Sequence, residues 1–253
     1  MKKITKKLFN PDLYKASDAI DRILKANPAF GHRHRMFLPH GYGACVSSFC
    51  TFKILQFMNS AAGKGNAVLV LRQHEEDIRE SLEVFKWAIE FLECTDDFEI
   101  SRHHRRIKQK RTGATVYFRG LDGRPVFQQK GETSICGPVR ILLFEEAHEF
   151  NEDDVDNLTV ANLFAGEVFK NSIALFSFNT PSDYGHWLNG SVLGCQQDMR
   201  RKGLKSRNIA YRADYRHVPK EWLGEWFFEH ARALKKINNK IYKHIYLGLP
   251  TEE

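Results

Sequence analysis

The chain has 253 residues, 42% of them apolar, and a formal net charge of +7 from 38 basic and 31 acidic side chains. That length supports one large domain or two small ones with a substantial core, and no apolar run approaches the ~20 residues a membrane helix needs. The basic opening MKKITKKLFNPD lacks the apolar stretch of a signal peptide, and the five cysteines (Cys45, Cys50, Cys94, Cys136, Cys195) contain no CxxC pair, which excludes a disulfide framework or zinc module and fits a soluble, cytosolic protein.

NPDLYKASDAIDRILKAN (10–27) reads as a helix with Pro11 at its first position and apolar residues at helical spacing. RMFLP (35–39) reads as a short buried strand. It runs into a glycine loop, Gly41-Tyr42-Gly43-Ala44-Cys45-Val46, and then the serine pair Ser47 and Ser48 at the start of a helix. Strand, paired glycines, serine and helix outline a phosphate-binding loop, in which backbone N–H groups cradle phosphate and a lysine neutralises it. The lysine position holds Val46, and the preceding position, often glycine, holds Cys45, a residue that adopts positive φ poorly. The alternative reading is a structural strand-to-helix turn.

SFCTFKILQFMNSAA (48–62) reads as an apolar helix closed by Gly63 and Gly65, and NAVLVLR (66–72) as a buried strand. EEDIRESLEVFKWAIEFLE (75–93) is a long amphipathic helix, acidic in its first turn as the helix dipole favours. A stretch of β character follows, with a strand at GATVYFRGL (113–121). Within it SRHHRRIKQKR (101–111) concentrates Arg102, Arg105, Arg106, Lys108, Lys110 and Arg111. A second basic cluster, MRRKGLKSR (199–207), follows a predicted helix. The two clusters point to a polyanion gripped by phosphate contacts without base readout, since no aromatics interleave; a solvated surface is the alternative. The histidines of HRH (32–34) and His103–His104 have no acids or cysteines beside them and read as surface residues.

VRILLFEEAHEF (139–150) is an apolar strand that delivers Glu145 and Glu146 at its carboxyl end, the form of a Walker B element. Its alternative is the acidic first turn of the following helix. NSIALFSFNTP (171–181) is a buried strand ending in Ser177, Asn179 and Thr180, polar groups able to sense a terminal phosphate or simply to turn the chain. Two closing helices run from Pro219 to about Lys236 and from about Asn238 to Leu247, with EWLGEWFFEH (221–230) reading as helix packing or a face that meets another domain.

Apolar strands alternating with helices predict an α/β fold: a P-loop NTPase-like, mostly parallel sheet covered by helices on both faces, with C-terminal helices. Ligands bind such sheets at the carboxyl ends of the strands, which directs attention to the loops 40–47, 144–149 and 178–182.

With these three loops in order, the chain resembles the ATPase domain of the large terminase subunit of tailed bacteriophages, most closely the PBSX-like group. The resemblance is carried by GYGACVSS (41–48), set against a GRGSGKSS-like loop, and by VYFRGLDG (116–123), ILLFEEAHEF (141–150) and FSFNTPSDYGHWL (176–188). The tail 218–250 is similar to the family's closing helices and their YxLG-type element. It implies a single ATPase domain over 1–253, with a helical lead-in (1–30), an α/β core (31–215) and closing helices (216–253). Its activity would be that of a DNA-packaging motor that binds ATP and Mg2+ and couples hydrolysis to movement of duplex DNA into a procapsid.

The implied partners are double-stranded DNA, the portal protein and the small terminase subunit, in a homo-oligomeric ring without membrane contact, in the host cytoplasm and transiently docked on the procapsid. Residue by residue, Gly41, Tyr42, Gly43, Ala44, Cys45, Val46, Ser47 and Ser48 would form the nucleotide loop. Ser47 and Glu145 would hold the magnesium shell, and Glu146 would be the catalytic carboxylate. Ser177, Asn179 and Thr180 would couple hydrolysis to movement, Asn179 foremost, and Arg72, Arg79 or Arg119 would be the trans-acting finger.

Two departures stand out. With Val46 in place of lysine, Lys53, Lys64 or a neighbouring subunit would have to supply the missing charge for unaided hydrolysis. The chain also stops at Glu253, about where a nuclease domain would follow in the family, so that domain is expected to be absent. A catalytically weak or inactive component of the same fold, and a basic nucleic-acid-binding protein without a nucleotide site, remain as alternatives.

Overall fold

The computed structural model describes residues 11–26, 33–121, 137–164 and 171–251. In chain order the elements are α1 (Pro11–Lys25), β1 (Arg33–His40), α2 (Val46–Asn59), β2 (Ala67–Arg72), α3 (Ile78–Phe91), β3 (Phe98–Ser101), β4 (Arg106–Gln109), β5 (Thr115–Gly120), β6 (Val139–Glu145), α4 (Glu152–Phe164), β7 (Ser172–Asn179), α5 (Trp187–Lys202), β8 (Asn208–Ala210), α6 (Gly224–Ile237) and α7 (Asn239–Leu247). The predicted helix at 48–62 starts two residues earlier and ends at Asn59, where the Ser60 hydroxyl caps a separate turn, Ala61–Gly63. The predicted helix at 75–93 occupies Ile78–Phe91. Residues 122–123 of the VYFRGLDG match, His32 and Cys136 lie outside the described residues.

The strands form one eight-stranded sheet in the order β3-β4-β5-β2-β6-β7-β1-β8. From β5 to β8 every pairing is parallel; β3 and β4 form an antiparallel hairpin on one edge. Alternation along each strand divides its side chains between two apolar layers. Met36, Leu38, Val68, Val70, Leu143 and Leu175 join a core beneath α1, α2 and α3. Phe37, Leu69, Leu71, Phe144 and Phe176 join a second core beneath α4 and α5, through Val155, Leu158, Leu188 and Val192. Both faces of the sheet are therefore covered, as the near-continuous apolar strands require.

Register in the centre is fixed by stacked rings. Phe37 lies 4.5 Å from Phe176, and Phe176 lies 4.9 Å from Phe144, a ladder across β1, β7 and β6. Such ring pairs contribute about 0.5–1.5 kcal/mol each beyond burial. A one-residue slip would turn all three rings to the wrong face, so the strand ends just beyond them are held in fixed alignment.

Candidate functional site

Alignment of the strand ends places the three sequence-predicted loops at one edge. β7 lies between β1 and β6, so the glycine loop after β1 and the acids after β6 face each other across a single strand. Beyond the ring ladder, the next side chains on the α2/α3 face are polar on β2, β6 and β7, while β1 keeps Leu38 there. Leu71 is in register with Phe144, which sets Arg72 beside Glu145; Glu145 is in register with Ser177; and His40 is in register with Asn179. Arg72, Glu145 and Ser177 thus form a row across the adjacent strands β2, β6 and β7, and His40, two residues beyond the Leu38 that faces Ser177 on β1, reaches back to Ser177 with its side chain; all four are buried.

The glycine loop turns the end of β1 into the start of α2. Gly43 lies at φ 75°, and Cys45 lies at φ 55°, ψ 35° as the residue before α2. The expectation that cysteine would spoil this geometry is corrected: the chain accepts a left-handed cysteine there, a conformation that costs about 1 kcal/mol or more. Phe49 N–H donates to the Cys45 carbonyl at 3.0 Å, so the N–H groups of Val46, Ser47 and Ser48 open the helix with no intrahelical acceptor. Those donors and the helix dipole favour an anion. Ser47 and Ser48 are half-buried and Tyr42 is 60% exposed. Val46, at 1% exposure, is sealed in the apolar core.

The glycines also answer to close packing. A Cβ on Gly43 would stand 2.6 Å from the Phe227 ring of α6, and one on Gly41 would clash with the backbone of Tyr246 in α7. Tyr42 N–H donates to the Ile245 carbonyl at 2.8 Å. The closing helices therefore brace the outer side of the loop through a cluster of Ala231, Tyr242 and Tyr246 with Tyr215 and Phe227. The aromatic segment 221–230 packs as predicted at Phe227, whereas Trp226 is 75% exposed.

The paired acids differ in surroundings. Glu145 is buried and accepts from the Ser81 hydroxyl of α3. Burial pushes its carboxyl above the usual range, against the pull of the Ser81 hydrogen bond and of Arg72. Glu146 adopts a left-handed backbone at φ 52° and is half-buried, 3.5 Å from Nδ1 of His148. Burial raises its carboxyl too, opposed by Arg72. His40 bonds the Gly41 carbonyl through Nδ1 at 3.3 Å and approaches the Ser177 hydroxyl with Nε2 at 3.5 Å. Burial lowers its pKa to about 4, so the imidazole is neutral. Asn179 is half-buried beside it. Thr180 donates its N–H to the His40 carbonyl at 3.2 Å and its hydroxyl to the Gly248 carbonyl at 2.6 Å.

Neither lysine considered as a stand-in reaches this edge. Lys53 is buried against α1, 2.6 Å from Asp21 and 2.6 Å from Gln56. Lys64 precedes β2 and is exposed at the opposite edge. Of the three arginines, Arg72 enters the row; Arg79 is exposed on α3; Arg119 alternates with Phe118 onto the other face of the sheet and donates to the Phe118 carbonyl.

The basic segment 101–111 is divided by the β3–β4 hairpin. Arg102 and Arg105 lie at the turn, ion-paired with Glu83 and Glu75; Arg106 and Lys108 share one face of β4; Lys110 and Arg111 bond the carbonyls of Asp96 and Asn59 at the far end. The cluster 199–207 presents Arg200, Arg201, Lys202, Lys205 and Arg207 exposed around the end of α5. Among the described residues no cluster of histidine, cysteine and acid could hold a metal by itself, and no helix is long and apolar enough to cross a membrane.

Sequence reasoning missed His40, Ser81 and the bracing of the loop by α6 and α7. Two of them left a signal: His40 ends an otherwise apolar run, and Ser81 interrupts the apolar stripe Ile78, Leu82, Phe85, Ala88, Ile89 of α3.

A family model described as phage terminase large subunit matches residues 34–249. The large terminase subunit of Bacillus phage SPP1 is 25% identical over 183 residues, covering 71% of this chain and 41% of that protein. A large terminase from a thermophilic bacteriophage superposes with a TM-score of 0.62 at 14% identity, over 95% of this chain and 53% of that one. The HK97 bacteriophage large terminase gives 0.62 at 11% identity, over 96% and 50%. The chain therefore spans about half the length of these relatives, and the likeness to the solved structures is one of fold.

Proposed function

Since the chain belongs to the phage terminase large-subunit family, we propose that it is a DNA-packaging motor ATPase domain, which binds ATP with Mg2+ and couples hydrolysis to movement of duplex DNA into a procapsid. The observation that carries this reading is the position of β7. It sets Ser177 and Asn179 between the glycine loop and the paired acids, so one bound phosphate would touch all three loops. The residues fit the nucleotide in part: the free N–H groups opening α2 and the positive φ of Gly43 and Cys45 suit a phosphate, while Val46 supplies no charge. The large terminase of the same thermophilic bacteriophage has been solved with ADP and with ATP-gamma-S.

For Mg2+ the donors are hard oxygens, the Ser47 hydroxyl and the Glu145 carboxylate, which suit that ion. A bound Mg2+ would neutralise charge on the phosphate oxygens. Glu146, half-open to solvent and with its carboxyl raised by burial, is placed to orient and deprotonate a water. Ser177 and Asn179, at the end of the strand that touches both other loops, respond to loss of the terminal phosphate. The exposed basic residues at the end of α5, with Arg106 and Lys108, would contact DNA phosphates. Assembly as a ring with a portal protein and small subunit, at a procapsid in the host cytoplasm, follows from the family reading.

A second reading, a catalytically weak or inactive member, is favoured by Val46, whose side chain lies in apolar core where a lysine would be expected. Equilibrium binding of ATP, followed by Mg2+-dependent turnover, separates the two. Binding with turnover supports the motor; binding without it supports the inactive member. Absence of ATP binding at millimolar concentration overturns both.

A further inference from the structure

We propose that Arg72 supplies, within its own chain, the positive charge on the terminal phosphate that the glycine loop lacks. The inference rests on the nucleotide reading above.

The loop has no cation of its own: Val46 is sealed in apolar core, Lys53 is committed to Asp21 and Gln56, and Lys64 lies at the opposite edge. Arg119 projects from the face opposite α2, and Arg79 is exposed on α3. Arg72 alone among these side chains meets both requirements of position. It ends β2 at the carboxyl edge, and it shares the face of Val68 and Val70, the one that α2 and the glycine loop cover.

Its present bonding leaves it unfinished. The residue is 9% exposed, and its Nε is buried with no hydrogen-bond partner. Its ion pair, to Asp77, is long at 3.5 Å. A guanidinium has five N–H donors, and burying one without an acceptor is unfavourable. Arg72 opposes the rise that burial imposes on the carboxyls of Glu145 and Glu146. A phosphate seated over Ser177 would have Arg72 on one side and the N–H groups of α2 on the other. Planar, bidentate recognition of phosphate is what a guanidinium supplies better than an ammonium.

A cation on the terminal phosphate distinguishes ATP from ADP, which a merely structural counter-ion to Glu145 does not. The experiment measures ATP and ADP affinities by titration calorimetry, and melting without nucleotide, for wild type, Arg72→Gln, Arg72→Lys and Arg72→Gln/Val46→Lys. The expected result is a loss of about 10- to 100-fold in ATP affinity for Arg72→Gln with ADP affinity nearly unchanged. Arg72→Lys should recover part of that loss, and Val46→Lys should restore ATP affinity in the double variant. Equal losses for ATP and ADP, or a lower melting temperature without nucleotide selectivity, overturn the inference and make Arg72 a structural partner of the acids. Wild type that binds neither nucleotide overturns the nucleotide reading itself, and this inference with it.

Discussion

Nε2 of His40 lies 3.5 Å from the hydroxyl of Ser177, joining the strand that feeds the glycine loop to the strand that carries Asn179. That contact needs a neutral imidazole in a buried place. With a folded pKa near 4 against an ordinary 6.5, the unfolded chain takes up its proton first as pH falls. The contribution of His40 is neutral above about pH 6.5 and turns destabilising between 6.5 and 4, to a limit of about 3 kcal/mol. Glu145 and Glu146, raised in the folded chain, act in the opposite sense as they take protons. The difference between wild type and His40→Asn in denaturant midpoints across that range isolates the histidine. A constant difference would show that His40 is not buried neutral.

Gly43→Ala and Gly41→Ala should separate conformation from packing. At Gly43 the left-handed backbone and the Phe227 ring both resist a Cβ, but a ring can shift, so a loss of about 1–2 kcal/mol is expected. At Gly41 the obstruction is the Tyr246 backbone, which can yield only if α7 moves. Gly41→Ala should therefore be the more destabilising and should expose Tyr246, read by chemical denaturation and tyrosine fluorescence.

The acids should part in mutagenesis. Glu146→Gln is expected to leave ATP binding intact and to reduce turnover by about 100-fold or more, the range for loss of a general base. Ser81→Ala acts on Glu145 instead. It removes the hydrogen bond to a buried carboxylate and should lower stability at neutral pH by about 1–3 kcal/mol, with the deficit shrinking as acid protonates Glu145. A pH-independent deficit would mean that Ser81 matters only for helix packing.

Val46→Lys places an ammonium stem in apolar core. Without nucleotide the variant should lose about 1–3 kcal/mol of stability, and ATP should return that loss by giving the charge a partner. Melting curves with and without ATP decide it; destabilisation that ATP does not reverse would count against a phosphate at this loop.

The two basic clusters should not contribute equally to DNA binding. Arg200, Arg201 and Arg207 are exposed, and among the described residues no acid is paired with them, so replacing all three by alanine should reduce the salt slope of binding by about 2 to 3. Arg102 and Arg105 already face Glu83 and Glu75, and their replacement should change the slope little. The reverse order would place the DNA on the hairpin edge.

The parallel strands other than β8, the three loops and the alternating helices were legible because each rests on local pattern: apolar runs, glycine spacing, acids at a strand end. What escaped depends on register or on distant docking. That Arg72, Glu145, Ser177 and His40 come together follows from which strands are neighbours, which no single segment records. Lys53 read as a free cation because its partner Asp21 is 32 residues away on a helix that docks only in the fold. The basic run 101–111 read as one patch because the turn at 102–105 is marked by neither glycine nor proline. Cys45 in a left-handed conformation broke a local preference, at the position where the chain must turn its N–H groups outward.

The short stretch after α7 has a consequence for the smallest fragment that can fold. The Gly248 carbonyl takes the Thr180 hydroxyl, the Thr251 hydroxyl reaches the Ser182 carbonyl at 2.7 Å, and a Cβ on Gly248 would meet the His40 carbonyl carbon at 2.5 Å. A fragment cut after Leu247 would keep every helix, yet it would orphan a buried hydroxyl and unpin the turn after β7. The working boundary of this unit lies past its last helix, and a trimmed version made for crystals or assays should retain residues through Thr251.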